Sequence, residues 1–232
     1  EMSYFIISDG TTIKNFETAQ DHKRVLEGDN GKNTGGMGAY SPSRLISNDL
    51  EDKILSKIIK PTLKGLSNLG NEYKGFLYAG LMIVENEPYL IEYNVRMGDP
   101  ECQPILMRLD SDLYDYLRAS SEGKLNELPE ISWKNDYSVC VVLASDGYPK
   151  SYPTGDVISG FNDIPSNSFV FHAGTKKQDD KIISNGGRVL GVTALGSTLQ
   201  NAIDNAYDAC KKIQWSNKYQ RNDIGKKGLS SL

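Results

Sequence analysis

The residues of this chain best suited to chemistry lie in one stretch, Leu90-Ile91-Glu92-Tyr93-Asn94-Val95-Arg96-Met97-Gly98-Asp99-Pro100-Glu101. Its alternation predicts a β-strand that runs into a turn and then into a helix. Successive strand side chains face opposite ways, so Glu92, Asn94 and Arg96 are expected on one face and Ile91, Tyr93 and Val95 in an apolar layer on the other. Two residues of strand rise cover roughly 6.6 Å. A hard cation with oxygen ligands at ~2.1 Å could take both Glu92 and Asn94. Arg96 carries the planar fork that suits a phosphate or carboxylate. Asp99 is expected as an N-cap and Pro100 as the first helical residue. A Glu and an Asn two apart also occur simply as the solvated face of a strand, and spacing alone leaves both readings open.

A second candidate is the loop Gln20-Asp21-His22-Lys23-Arg24 with Asn33-Thr34-Gly35-Gly36-Met37-Gly38. Glycines let backbone N–H groups approach an anion, and successive N–H groups can form a nest around it. Lys23 and Arg24 could neutralise phosphate, and Asp21 could hold an amine. The spacing is not that of a P-loop, and a flexible surface loop with turn glycines has the same composition. His172 at a strand end reads as a hydrogen-bonded structural residue, Gly186-Gly187 as a hairpin turn, and Arg221 as either part of a surface arm or a phosphate contact. No cysteine has a neighbouring His or basic cluster, so a thiolate nucleophile is not expected.

The elements that must position these residues follow from periodicity. Strands are expected at 3–7 and 11–16 around the turn Ser8-Asp9-Gly10, and residues 20–44 form a long polar loop. Asn48 to Leu69 reads as a helix with an Asn48/Glu51 capping box and an apolar stripe of Leu50, Ile54, Leu55, Ile58, Leu63 and Leu66. Pro61 should kink or split it, and Gly70 should cap its end. Strands at 76–84 and 89–95, helices at 100–108 and 111–122, strands at 137–145, 168–172 and 187–194, and a helix at 198–213 complete the pattern. A break around Gly123–Pro129 divides the chain into domains at 1–126 and 127–232.

The chain has 232 residues, 38% hydrophobic and 24% charged, which supports a real core and argues against wholesale disorder. A net charge of −4 argues against nucleic acid or an anionic membrane as the main partner. No run approaches the ~18 apolar residues of a membrane span, and no signal-peptide pattern opens the chain. Three cysteines far apart argue against a disulfide framework and suggest a reducing compartment, the cytoplasm by default. Two histidines are too few for a typical His-based zinc site. The chain begins at Glu1 inside a strand-like segment, so it is expected to be the later part of a longer protein.

The segments Gln20–Arg24, Asn33–Pro42, Leu77–Met82, Ile91–Arg96, Gly98–Glu101, His172–Thr175 and Gly187–Leu190 together resemble the phosphoribosylamine–glycine ligase (glycinamide ribonucleotide synthetase) family, collinearly from residue 1 to about 228. The resemblance implies an α+β fold: the second half of an ATP-grasp core, mostly antiparallel sheet with helices, followed by a small α+β C-terminal domain. It implies joining of glycine to 5-phosphoribosylamine with ATP, in de novo purine synthesis, through a glycyl phosphate. Matched residue by residue, Glu92 and Asn94 fall on the family's metal ligands, for Mg2+ or Mn2+. Glu1 falls on a carboxylate near the nucleotide ribose, where Glu92 also serves the nucleotide. Arg96 and Asp99 take catalytic places, and Asp21, Lys23, Asn33, Thr34, Gly35, Gly36 and Gly38 bind substrate. Met97 and Cys102 depart from the family's usual Phe and Thr. Relative to the family the N-terminal domain and the small ATP-clamping subdomain are absent, and this segment alone is expected not to catalyse the complete reaction. The expected partners are ATP, glycine, 5-phosphoribosylamine and the missing N-terminal part of the polypeptide. The competing readings are another ATP-grasp carboxylate–amine ligase of nucleotide metabolism and a non-catalytic nucleotide-binding remnant.

Overall fold

A computed structural model describes residues 1–229. In chain order the elements are β1 (Met2–Asp9), β2 (Ile13–Asp21), β3 (Arg24–Leu26), β4 (Asn30–Asn33), β5 (Gly38–Ser41), α1 (Asn48–Ile54), α2 (Lys60–Asn68), β6 (Lys74–Val84), β7 (Glu87–Asn94), α3 (Cys102–Arg108) and α4 (Leu113–Glu122). They continue with β8 (Tyr137–Ser145), β9 (Val157–Ile158), β10 (Ser168–His172), β11 (Thr175–Gln178), β12 (Lys181–Ser184), β13 (Arg188–Gly196), α5 (Leu199–Lys212) and β14 (Lys218–Tyr219). The class is α+β, and its strand ladders are antiparallel. The chain forms two compact units. Among the described residues one comprises 1–20, 42–98 and 109–134, and the other 21–41, 99–108 and the chain from 135 onward.

In the first unit the sheet runs β2-β1-β6-β7. Met2, Tyr4 and Ile6 of β1 and Leu77, Ala79 and Leu81 of β6 line one face, where Leu50, Ile54, Ile58 and Ile59 cover them. On the other face Phe16 meets Phe76 and Trp133 edge-on, and Ser120 of α4 donates to the Ser8 carbonyl at 2.6 Å. The second strand runs past the expected 11–16 because Phe16 and Glu17 bulge opposite Phe5, with Glu17 at φ 79°. The cap of α1 is Ser47, one residue before the expected Asn48. Its Oγ accepts from the Leu50 N–H, and Glu51 instead accepts from Tyr4 Oη and Asn15 Nδ2. Pro61 splits the long helix as expected: a π-turn over Leu55–Ile59 precedes it, and the Lys60 N–H reaches back to the Leu55 carbonyl. Gly70 closes α2 at φ 79°.

The second unit is built on the sheet β10-β13-β8-β5, with β14 beside β8. From α5, capped by Thr198 Oγ1 at the Asn201 N–H, Ala202, Ile203, Ala206, Ala209 and Cys210 pack into one core with Val139, Val141, Leu143, Val192 and Ala194. A three-stranded sheet β11-β12-β9 and the hairpin β3-β4 complete it. Gly186-Gly187 is not the hairpin turn its sequence suggested. That turn is Asp179-Asp180, at φ 46° and 60°, between the paired β11 and β12. Gly187 instead leaves room for Tyr148, whose Cδ2 would lie 2.3 Å from a Cβ there.

The expected structureless stretch 20–44 is largely ordered as β3, β4 and β5. Arg221, only 1% exposed, holds the hairpin from within. It donates to the Arg24 carbonyl at 2.8 Å and pairs with Asp29 at 2.9 Å and Asp223 at 2.7 Å. Burial alone raises both carboxyls, but the Arg221 hydrogen bonds, with the Gly28 N–H at Asp223, bring them below their ordinary value. Arg221 is therefore a structural cation whose charge is matched by two carboxylates, neither a surface arm nor a phosphate contact.

Candidate functional site

In the first unit, β7 pairs with β6 through a two-residue turn, Glu85-Asn86, at φ 51° and 60°. The register places Leu90 opposite Leu81 and Glu92 opposite Gly80, so Ile91 is an extra residue. This β-bulge changes the phase of the strand. Before it Pro88 and Leu90 sit opposite the core-lining Ile83 and Leu81; after it Tyr93 sits opposite Ala79. Glu92 and Asn94 consequently lie on the face away from that core, and Asn94 Nδ2 donates to Glu92 Oε1 at 3.2 Å. The expected apolar layer is only partly real. Tyr93 packs on the core, but Ile91 is 50% and Val95 72% exposed, because one occupies the bulge and the other lies beyond the strand. Arg96 also lies beyond the strand end and donates to the Met97 carbonyl at 3.0 Å. Glu1 precedes β1 and its carbonyl accepts from Gln20 Nε2 at 3.0 Å.

Glu92 and Asn94 are thus brought together with two further oxygens, Glu92 Oε2 and Asn94 Oδ1, not used in their mutual bond. A carboxylate and an amide oxygen on one face are hard donors, the type that a magnesium-sized cation accepts while keeping water or phosphate oxygens in its remaining positions. Among the described residues no group of three or more His, Cys, Asp or Glu is placed to hold a metal by itself. A cation here would therefore be completed by ligand oxygens.

In the second unit the glycine-rich loop is closed by its own bonds. The N–H groups of Thr34 and Met37 donate to the Lys23 and His22 carbonyls at 2.8 Å each. Gly35 N–H donates to Tyr148 Oη at 3.1 Å and Gly36 N–H to Thr34 Oγ1 at 2.9 Å. An open nest of successive amides is therefore absent from this conformation: every N–H from 34 to 37 has an internal acceptor. Asn33 ends β4 and is exposed, Gly38 is buried in β5 against β8, and the Asp21 carbonyl accepts from Lys227 Nζ. Asp99 and Pro100 stand in a turn before α3, which begins only at Cys102, so Asp99 is not an N-cap and Pro100 is not helical. The Asp99 carboxylate is instead paired with Arg188 at 3.1 Å and accepts from Gln103 Nε2 at 3.2 Å. Arg188 Nη1 also reaches the Gly35 and Asp99 carbonyls at 2.8 and 2.7 Å.

Sequence reasoning gave no role to Arg188 or Tyr148. Their nearest signals were two glycines: Gly187, where a Cβ would meet the Tyr148 ring, and Gly35, where a Cβ would meet the Arg188 guanidinium. His172 is hydrogen-bonded at its strand end, as expected: Nδ1 lies 3.0 Å from Thr175 Oγ1 and the ring stacks on Phe161. His22 is buried, and its tautomer is fixed by its neighbours. The Gly225 N–H donates to Nε2, so Nδ1 carries the proton and donates to the Gly38 carbonyl. Burial, then the Lys227 and Arg221 charges, push its pKa down to about 3. Burial likewise raises Cys102 to about 11 and Cys140 to about 12 and raises Cys210 further, which disfavours the thiolate at all three.

Comparison with known proteins gives a consistent set of likenesses. The model of the phosphoribosylglycinamide synthetase ATP-grasp (A) domain matches residues 1–102, and that of the C domain of the same enzyme matches 138–227. A phosphoribosylamine–glycine ligase of Vibrio parahaemolyticus is 47% identical over 99% of the chain, and one of Agrobacterium fabrum 46% identical over 97%. The chain spans about half the length of these relatives, 54% and 53% respectively. The crystal structure of a phosphoribosylamine–glycine ligase from Thermotoga maritima superposes with a TM-score of 0.87 at 33% identity, covering 96% of this chain and 55% of that one. A biotin carboxylase domain of a 2-oxoglutarate carboxylase shares the fold alone, with a TM-score of 0.67 at 15% identity, covering 94% and 47%. Among the described residues no helix is long and apolar enough to cross a membrane.

Proposed function

We propose, for a chain that belongs to the phosphoribosylglycinamide synthetase family, that the protein carrying it joins glycine to 5-phosphoribosylamine at the expense of ATP. The product is glycinamide ribonucleotide, with ADP and phosphate. A carboxylate does not condense with an amine unaided. A glycine carboxylate oxygen therefore attacks the γ-phosphorus with loss of ADP, and the amine then displaces phosphate from the acyl carbon. No enzyme nucleophile is needed, in keeping with thiols whose burial disfavours the thiolate.

The observation that carries this reading is the convergence of Glu92 and Asn94 behind the Ile91 bulge. Glu92 Oε2 and Asn94 Oδ1 would hold Mg2+ or Mn2+, with Glu92 and Glu1 also on the nucleotide side. The cation supplies charge neutralisation on the phosphate oxygens, the dominant requirement of phosphoryl transfer. Arg96 offers its fork to the transferring phosphoryl group or to the glycine carboxylate. Asp21, Lys23 and the segment Asn33, Thr34, Gly35, Gly36 and Gly38 serve the substrates, and Asp99 acts from its bond to Arg188. Residues 1–126 and 127–232 are proposed as the two domains, supported by the limits of the two family matches, and a cytoplasmic setting by three free thiols. The test is ADP release that requires both glycine and 5-phosphoribosylamine, measured on the longest polypeptide that carries this chain. Release that needs neither, or needs a different amine, overturns the assignment.

A further inference from the structure

We infer that Arg188 is the positioning residue of the glycine-rich loop: it fixes Gly35 and Gly36 against the Asp99-Pro100 turn, and so sets the conformation in which residues 33–36 meet substrate. The inference rests on the ligase reading and adds to it a residue and a role. One guanidinium reaches the carbonyls of Gly35 at 2.8 Å, Gly36 at 3.5 Å and Asp99 at 2.7 Å, and both Asp99 carboxylate oxygens, at 3.3 and 3.1 Å. It thereby ties together segments 153 and 89 residues away in sequence. A rigid planar fork can face several acceptors at once; a point-charge ammonium cannot.

The glycines explain themselves in the same terms. A Cβ on Gly35 would stand 2.9 Å from the Arg188 Cζ, and one on Gly36 would stand 2.4 Å from Pro100 Cδ. Gly36 also has φ +112°, where a side chain is strained. The missing side chains therefore make room for the clamp. Tyr148 Oη holds the Gly35 N–H from its own side of the loop. The Arg188 and Asp99 side chains are 22% and 53% exposed, and ion pairs open to water add little stability. A contact so well aimed and so weakly stabilising is suited to shaping a loop.

The experiment has two arms. Hydrogen exchange on this chain compares wild type with Arg188→Lys. Faster exchange, by about tenfold or more, is expected only at the amides of residues 34–37 and of Asp99, with the sheet amides unmoved. Kinetics on the longest polypeptide should show KM for glycine or 5-phosphoribosylamine rising about tenfold, KM for ATP changing less than about twofold, and methylguanidinium restoring part of the Arg188→Ala rate. If Arg188→Ala fails to fold, Arg188→Lys alone carries the decision. Unchanged exchange, exchange that rises throughout the unit, or three unchanged KM values overturn the role of Arg188. Absence of any ligation by wild type overturns the ligase reading instead, and the exchange arm still decides whether Arg188 holds the loop.

Discussion

The two groups of candidate residues are held in opposite ways. At the end of β7 one bulge aims Glu92 and Asn94, which bond to one another, and Arg96, just beyond the strand, bonds to the adjacent Met97 carbonyl. Around the glycine-rich loop nearly every polar group is already spent on a protein partner, from the amides of 34–37 to Arg188, Asp99 and Arg221. The first group is prepared for charges that a ligand brings. The second is organised before any ligand arrives. Substitutions should therefore separate them: at the strand activity falls with the fold unmoved, and at the loop any loss of activity comes with a loss of global or local order.

The sharpest break is expected at Arg221. Arg221→Ala leaves Asp29 and Asp223 without their buried cation, and the stability lost should be about 3–5 kcal/mol, read as a fall in the denaturant midpoint. A loss below about 1 kcal/mol would show that the hairpin is held by other means. On the other side of the comparison, Glu92→Ala should reduce ligase turnover by more than about 100-fold, since even outer partners of metal ligands are worth 10–100-fold. The exposed carboxylate packs little, so the melting temperature should hardly move. Normal kinetics at saturating metal would remove Glu92 from the cation site.

Gly36→Ala tests the loop itself. The new Cβ meets Pro100 and the backbone sits at φ +112°, so a loss of about 1–3 kcal/mol is expected, with activity lost alongside it. A melting curve that stays in place with activity abolished would instead give the glycine to a ligand. The last effect is a slope. The folded pKa of His22, about 3, lies below its ordinary 6.5, so this imidazole stays neutral in the fold while the unfolded chain takes up its proton. Its contribution is complete above pH 6.5 and is lost as pH falls toward 3, at up to about 1.4 kcal/mol per unit. Urea titrations between pH 6.5 and 4.5, above the range where Asp29 and Asp223 titrate, should show that slope in wild type and a flatter one in His22→Asn.

Much of the scaffold was legible because its signals are local. The strands at 137–145 and 168–172 are where their apolar runs end, and α5 fills the expected stripe between Thr198 and Ile213. The pairing of Glu92 with Asn94 was legible too, from spacing. The turn chemistry around Asp99 was misread because a Gly-Asp-Pro run signals a helix start locally, whereas here the carboxylate is claimed by an arginine 89 residues away. Arg221 was ambiguous for the same reason, with its partner Asp29 separated by 192 residues. The strands β11 and β12 were missed because each is only four residues long, β11 polar throughout and β12 with two adjacent isoleucines in place of an apolar alternation.

The extra residue at Ile91 makes the end of β7 a matter of parity. With an odd residue inserted, Tyr93 falls on the inward beat and Glu92 and Asn94 on the outward one. Pairing Ile91 into a regular ladder, with no bulge, would reverse the beat, sending a carboxylate and an amide toward Ala79 and Leu77 while turning the tyrosine outward; deleting Ile91 would leave Glu92 opposite Gly80 and Tyr93 opposite Ala79, and the beat unchanged. Substitutions at Ile91 keep the count and should be tolerated widely. The pairing of Glu92 with Gly80 is therefore a stricter inheritance than the residue that fills the bulge.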